Sequence, residues 1–275
     1  MAELRARDGE LFAFDDDFTD PWNASEVVVL LHGFVRNARL WRSWVPYLGR
    51  THRVLRPDLP GCGSSPDPGP GHEHTTDELV AQLLDLFDRA EVDRVHFVGE
   101  GVGGAIGAAL TVSAPDRVQS LTLISEPVNV SPDIQTNHAA GFPTWHEGIE
   151  QLGMREWWLR AHAEAGDLVG DDRIDGYIAD EIATVPPHVA VALARWAPTW
   201  DLRDLLPQIQ VPVLFVWAEH ARWAAEQDRD ALTVLPAHGR QYLVRGVSTQ
   251  LPGYIYPDLV APVVREFITA TDESG

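Results

Sequence analysis

Apolar positions along the chain follow two rhythms. Short β-branched and aliphatic runs close on Gly or Pro: Glu26–Phe34 (EVVVLLHGF), His52–Gly61 (HRVLRPDLPG), Val92–Gly99 (VDRVHFVG) and Val118–Pro127 (VQSLTLISEP). After a long gap two more follow, Val211–His220 and Arg240–Val247. Runs of this length and composition read as buried strands. Helical spacing appears between them. Thr75–Ala90 has a Thr cap, early acids and apolar residues three and four apart; GGAIGAALTVSAPDRV opens the next helix, which Pro115 stops; DLVAPVVREFITAT forms the last. Strands alternating with helices predict an α/β fold, a mostly parallel sheet covered on both faces.

The rhythm breaks between Ser131 and Pro198, where the segments are helical, rich in tryptophan and free of strand patterns. This predicts a helical lid (131–198) inserted after strand six, between two parts of one α/β core, 1–130 and 199–275. SSPDPGPGHEH is a Pro/Gly-rich loop too short to separate domains, and there is no internal repeat.

Composition narrows the chemistry. No apolar run approaches the roughly 20 residues needed to cross a bilayer, and MAELRARDGELFAFDDDF has neither the basic start nor the apolar stretch of a signal peptide. The expected location is the cytoplasm. The 41 Asp and Glu against 21 cations give a formal charge of −20, which repels phosphate backbones and anionic lipid. Nucleic-acid and membrane partners are therefore not expected. All 21 cations are arginine, so a lysine Schiff base and a P-loop lysine are both excluded. The lone Cys62 cannot form an internal disulfide, and the pairs His72/His74 and His138/His146 lack a companion at ligand spacing. Neither a metal nor a cofactor is expected.

Several motifs in order resemble the α/β-hydrolase fold, nearest the lid-bearing group of 3-oxoadipate enol-lactonases, cofactor-free haloperoxidases and esterases. LLHGF resembles the His-Gly oxyanion motif, RPDLPGCGSS the loop after strand four, VGEGVGG the nucleophile elbow, and APDRVQSLTLI the approach to strand six. The segment WDLRDLLPQIQVPVLFVWAEH resembles the return from the lid. In that family the elbow reads Gly-x-Ser-x-Gly and holds a nucleophile above the sheet. Aligned on Gly99 and Gly103, the apex here is Gly101. The resemblance places the family's acid near Ala221 and its histidine at Gln250, or at Thr249 with a shift of one, and no histidine follows His238. A Ser-His-Asp relay needs a hydroxyl, a base and an acid, and none of these aligned positions supplies one.

The elbow's electrostatics do not depend on the missing side chain. Backbone N–H groups of Val102, at a helix start, and of Phe34 or Val35 are the expected oxyanion donors around Gly101. Glu126, after strand six, is a candidate general base if it faces the pocket, the alternative being a glutamate that points outward and caps the turn at Pro127. Glu100 is a second candidate, with a structural ion pair to an arginine as its alternative. His220 is a third, with a solvated loop as its alternative. His32 is expected to support the oxyanion loop. Trp145, Trp157, Trp158, Trp196 and Trp200 lie in or beside the lid, and with Trp145, Trp158 and Gln250 facing inward the pocket suits a small apolar or aromatic ligand. Trp41 and Trp44, after the oxyanion loop, are expected in the core, with the entrance of the pocket as their alternative.

Three functions fit these residues. The first is a non-covalent enzyme promoting proton transfer, elimination, cyclisation or carbon–carbon chemistry. The second is a catalytically silent ligand-binding or regulatory protein. The third is a hydrolase using carboxylate-activated water.

Overall fold

The computed structural model describes residues 2–4, 11–22, 25–220, 236 and 239–272. Eight strands form one sheet in the order β1-β2-β4-β3-β5-β6-β7-β8. Its centre consists of β3 (Glu26–Leu31), β4 (His52–Pro57), β5 (Val95–Glu100), β6 (Val118–Ile124), β7 (Val213–Ala218) and β8 (Gly239–Val244), all parallel. Every residue of β5 and of β7 is buried, as expected of strands covered on both faces. β8, at the edge, is largely exposed.

Two strands were not foreseen from the pattern. β1 (Ala2–Leu4) and β2 (Ala13–Asp16) add antiparallel to the β4 edge. β2 includes two acids, Asp15 and Asp16, which pair with Arg53 and Arg56 of β4 and so are tolerated in the sheet. Hydrophobic alternation does not mark such a strand.

Among the described residues, the α-helices are α1 (Val45–Leu48), α2 (Thr76–Arg89), α3 (Val102–Ser113), α4 (Pro132–Asn137), α5 (Trp145–Leu152), α6 (Met154–Ala165), α7 (Asp172–Ile182), α8 (Pro187–Trp196), α9 (Leu202–Leu205), a short turn of helix Pro252–Ile255 and a C-terminal helix Pro257–Asp272. In α2 the Thr75 hydroxyl accepts the Glu78 N–H at 3.2 Å, and Leu79, Val80, Leu83, Leu86 and Phe87 form its buried stripe. α3 is buried along nearly its whole length, which its run of Gly and Ala permits. Helices α4 to α8 fill the interval between β6 and β7. Trp41 and Trp44 are wholly buried, and Trp44 donates to the Gly253 carbonyl at 2.7 Å. Among the described residues, no helix is long and apolar enough to cross a membrane.

β3 lies between β4 and β5, so the connection from β3 to β4 runs one way along the sheet and the connection from β4 to β5 runs back the other way. The carboxyl ends of β3 and β5 thus flank a crevice of the kind where open α/β sheets bind ligands.

A candidate active site between the sheet and the helical insertion

The turn from β5 into α3 is built by close backbone approach. A Cβ on Gly99 would stand 2.5 Å from the Gly103 carbonyl, and one on Gly103 would stand 2.6 Å from the His32 oxygen. Only glycine fits at either place. Gly101 has φ 52° and ψ −131°, and a Cβ there would meet nothing nearer than the Gly33 Cα at 3.8 Å. The apex is therefore open. The first N–H groups of α3 have no partner within the helix, and that of Val102 starts it directly beside the opening.

On the other side, His32 fixes the loop that follows β3. Its Nδ1 bonds the Gly33 oxygen at 2.8 Å and its Nε2 accepts the Leu59 N–H at 3.0 Å. Burial pushes this imidazole down to about 4, so it is neutral and structural. Next to it Val35, a β-branched residue, is held at φ 50°. Phe34 lines the cavity over Gly101, whereas the Val35 side chain packs into the core.

A narrow cavity of about 60 Å³ lies above this turn. Its aromatic wall is Phe34, Trp145, Trp157, Trp158 and Trp200. Phe34 reaches from the core to the insertion, with ring centroids 5.4 Å from Trp145 and 6.0 Å from Trp157. Trp196 points elsewhere and donates to the Thr76 hydroxyl at 3.2 Å. Gln250 lines the cavity on the side of the last loop.

The polar wall centres on Glu100, whose Oε2 accepts from Tyr254 Oη at 2.9 Å and from Arg36 Nη1 at 3.3 Å. All three residues are buried. Burial raises the Glu100 carboxyl, while Arg36 and then Tyr254 pull it back. Tyr254 is pushed well above its ordinary range, first by burial and then by the Glu100 charge, so it stays a neutral donor. Glu100 faces the cavity and is at the same time the acid of an ion pair.

Two other candidate bases lie away from the cavity. Glu126 is buried, but its carboxylate is tucked against the first turn of α3, where a Cβ on Gly104 would stand 2.4 Å from Oε2. It neither points outward nor lines the cavity. Burial, reinforced by Glu100, holds its carboxyl well above the usual range. His220 stands just past β7 with 62% of its side chain exposed, 3.7 Å from Glu219, and is not part of the cavity wall. The acid position near Ala221 lies outside the described residues.

The insertion brings two imidazoles to the cavity wall that the sequence reading did not assign, His138 and His162. His138 is engaged at both nitrogens, by the Ile134 carbonyl at 3.0 Å and by buried Asp167 at 3.0 Å. His162 differs. Its Nδ1 lies 2.9 Å from the Trp158 carbonyl oxygen, which only accepts, so Nδ1 carries the proton and Nε2 keeps a lone pair. Burial, then the His138 and Arg36 charges, hold it well below its usual value and therefore neutral. Its ring stacks on Trp158 with centroids 4.5 Å apart. Arg36, Tyr254, His138 and His162 come from four separate segments, and no local motif announces their meeting.

Residues 26–153 match the α/β hydrolase fold family. The chain is similar to 2-hydroxy-6-oxo-2,4-heptadienoate hydrolase of Pseudomonas putida, 36% identical over 104 residues, 37% of this chain and 37% of that protein. It is also similar to karrikin insensitive 2 receptor IA of Petunia hybrida, 24% identical over 261 residues, 90% of this chain and 92% of that one. Among solved structures, the enol-lactonase from Burkholderia xenovorans superposes with a TM-score of 0.78 at 22% identity, covering 94% of this chain and 96% of the other.

Proposed function

With the α/β-hydrolase fold as its scaffold and glycine at the elbow apex, we propose that this protein takes a small, largely apolar carbonyl compound and acts on it without a covalent acyl intermediate. The observation that carries the reading is the open apex: Gly101 offers no attacking atom, and Gln250 occupies the last-loop wall. The Ser-His-Asp relay is replaced, and the insertion serves as a lid.

The chemistry this arrangement supports is proton transfer next to a carbonyl. The Val102 and Phe34 N–H groups receive the carbonyl oxygen and stabilise the negative charge that grows on it as an enolate. Arg36, buried on the same wall, adds a fixed positive charge. His162 Nε2, its tautomer held by the Trp158 carbonyl, accepts the proton as the enolate's negative charge grows beside it and offsets the burial and the His138 and Arg36 charges that otherwise disfavour its protonation. Glu100 and Tyr254 position Arg36 and do not themselves take the proton. A cavity of about 60 Å³ is smaller than the roughly 150 Å³ that holds a benzene ring, so the lid must separate from the core to admit an aromatic ligand.

A second reading has its own support in the similarity to a receptor over 90% of the chain. In it the same lid closes on a ligand and no bond changes.

One experiment separates these readings. Exchange of the methyl protons of acetophenone into deuterated buffer is followed by NMR, with wild type, His162→Gln and Gly101→Ser compared and binding read by tryptophan quenching. The expected result is exchange by wild type, a loss of roughly a hundredfold in His162→Gln with binding retained, and no fluorophosphonate labelling of wild type. Binding without exchange in wild type supports the receptor reading. Fluorophosphonate labelling of wild type sinks both.

A further inference from the structure

A second constellation stands at the opposite end of the sheet, outside the cavity. Glu26 opens β3, His96 is the second residue of β5, and Asp272 ends the C-terminal helix. His96 is four residues upstream of Glu100, about 13 Å along an extended strand.

The distances there pose a chemical problem. Glu26 Oε2 lies 2.8 Å and Asp272 Oδ1 2.9 Å from the same nitrogen, His96 Nε2. The three donor atoms all lie within 4.8 Å of one another. A single imidazole proton faces two carboxylates, which also share a hydrogen bond with each other, and Glu26 bonds Gln119 as well. A dication at this point would replace the shared protons and neutralise both charges.

The surroundings match a metal site. His96 Nδ1 is 2.8 Å from Ser120 Oγ, which orients the ring and leaves Nε2 as the ligating atom. His52, also buried, brings its Nε2 to 3.9 Å from Asp272 Oδ2, within reach of a fourth position. Ligands of a tetrahedral ion at about 2.0–2.1 Å stand roughly 3.4 Å apart, so the present spacing needs to widen by only about half an ångström. The Glu26 and Asp272 side chains are 42% and 27% exposed, which leaves a route from bulk water to the buried nitrogen.

We propose that Glu26, His96 and Asp272, with His52 beside them, bind one divalent first-row transition cation of the zinc type, clamping the C-terminal helix to the amino ends of β3 and β5. One imidazole with two carboxylates favours such an ion over Mg²⁺ or Ca²⁺, which take oxygen ligands almost alone. The role is structural, since no cavity-lining residue takes part.

The test is calorimetric titration of the chelator-treated full chain with Zn²⁺ at pH 7.5, alongside thermal unfolding with and without the ion. Glu26→Gln and Asp272→Asn are the variants, because partly exposed side chains can change without loss of fold. Wild type is expected to take up one Zn²⁺ saturably, to be displaced little by excess Mg²⁺, and to unfold at higher temperature with the ion. Each variant is expected to bind at least tenfold more weakly, the lower end of what even an outer-shell change costs, and to lose the thermal shift. Zn²⁺ affinity and thermal shift unchanged in both variants would place the ion elsewhere, for instance at His72 and His74, and overturn the proposal. So would the absence of saturable binding by wild type.

Discussion

Glu100 ends β5 and Glu126 lies two residues past the end of β6; both are buried, yet they behave differently because Arg36 pairs with Glu100. Arg36 lies 3.3 Å from Glu100, whereas Glu126 lies against the first turn of α3 with Glu100 as its charged neighbour. A carboxyl whose folded pKa is raised binds its proton more tightly in the native state than in the unfolded chain. Its contribution to stability is complete below the unfolded value of about 4.5 and is lost as pH rises through the folded value. Glu126→Gln removes the ionisation and keeps the shape. In urea unfolding the variant is expected to match wild type near pH 4.5 and to exceed it at pH 8, by about 1.4 kcal/mol for each unit of the shift it abolishes. Equal stability at both pH values would mean that Glu126 keeps an ordinary pKa. Because the residue is off the cavity wall, ligand binding should not change.

At the level of elements, the insertion meets the core through side chains such as Glu181 with Asn37, His188 with Asp67 and Trp145 with Phe34, and of these Trp145 stands at the cavity. It is the first residue of α5, whose start is fixed by the Thr144 hydroxyl accepting the Glu147 N–H at 3.3 Å, and it follows a bend with Ala140 and Gly141 at positive φ. Its tilted contact with Phe34 is of a kind worth about 1 kcal/mol. Trp145→Ala leaves the cap intact and removes the contact. Stopped-flow quenching by 2-acetonaphthone, a neutral probe larger than the closed cavity, should then show association roughly fivefold faster, the factor that 1 kcal/mol supplies. An unchanged rate would mean that entry does not pass between α5 and the β3 loop. This contact also shows where sequence patterning stops. The strands from β3 to β8, the amphipathic α2 and the glycine elbow follow from spacing and from backbone clearance, both local properties. β2 escaped because its acids are satisfied by arginines on a neighbouring strand. Arg36, Tyr254, His138 and His162 escaped because they converge through tertiary packing, and the pair Glu26 and Asp272 joins residues 246 positions apart in the chain.

Over the whole molecule, the same arginine-only, acid-rich composition that argues against polyanion partners also sets how salt acts. The formal charge of −20 is mostly uncompensated at the surface, while Arg36 with Glu100 and Arg56 with Asp16 are buried pairs. Exposed like charges are screened as the Debye length falls from about 20 Å to under 8 Å between roughly 20 and 200 mM salt, and buried pairs are screened far less. Raising NaCl over that range should therefore raise the midpoint of thermal unfolding by about 2–4 °C, which for a chain of this size corresponds to roughly 1 kcal/mol of relieved self-repulsion. The cavity should respond according to ligand charge. Arg36 on its wall is balanced by buried Glu100, and His138 by buried Asp167, so the affinity of a neutral ketone should stay flat with salt. An anionic aromatic such as a naphthalene sulfonate must first approach a strongly negative protein, and its association rate should climb as salt screens that repulsion. If the anion instead binds faster at low salt, Arg36 projects an unbalanced positive field through the mouth of the cavity, and the preferred ligand is an acid rather than a neutral carbonyl compound.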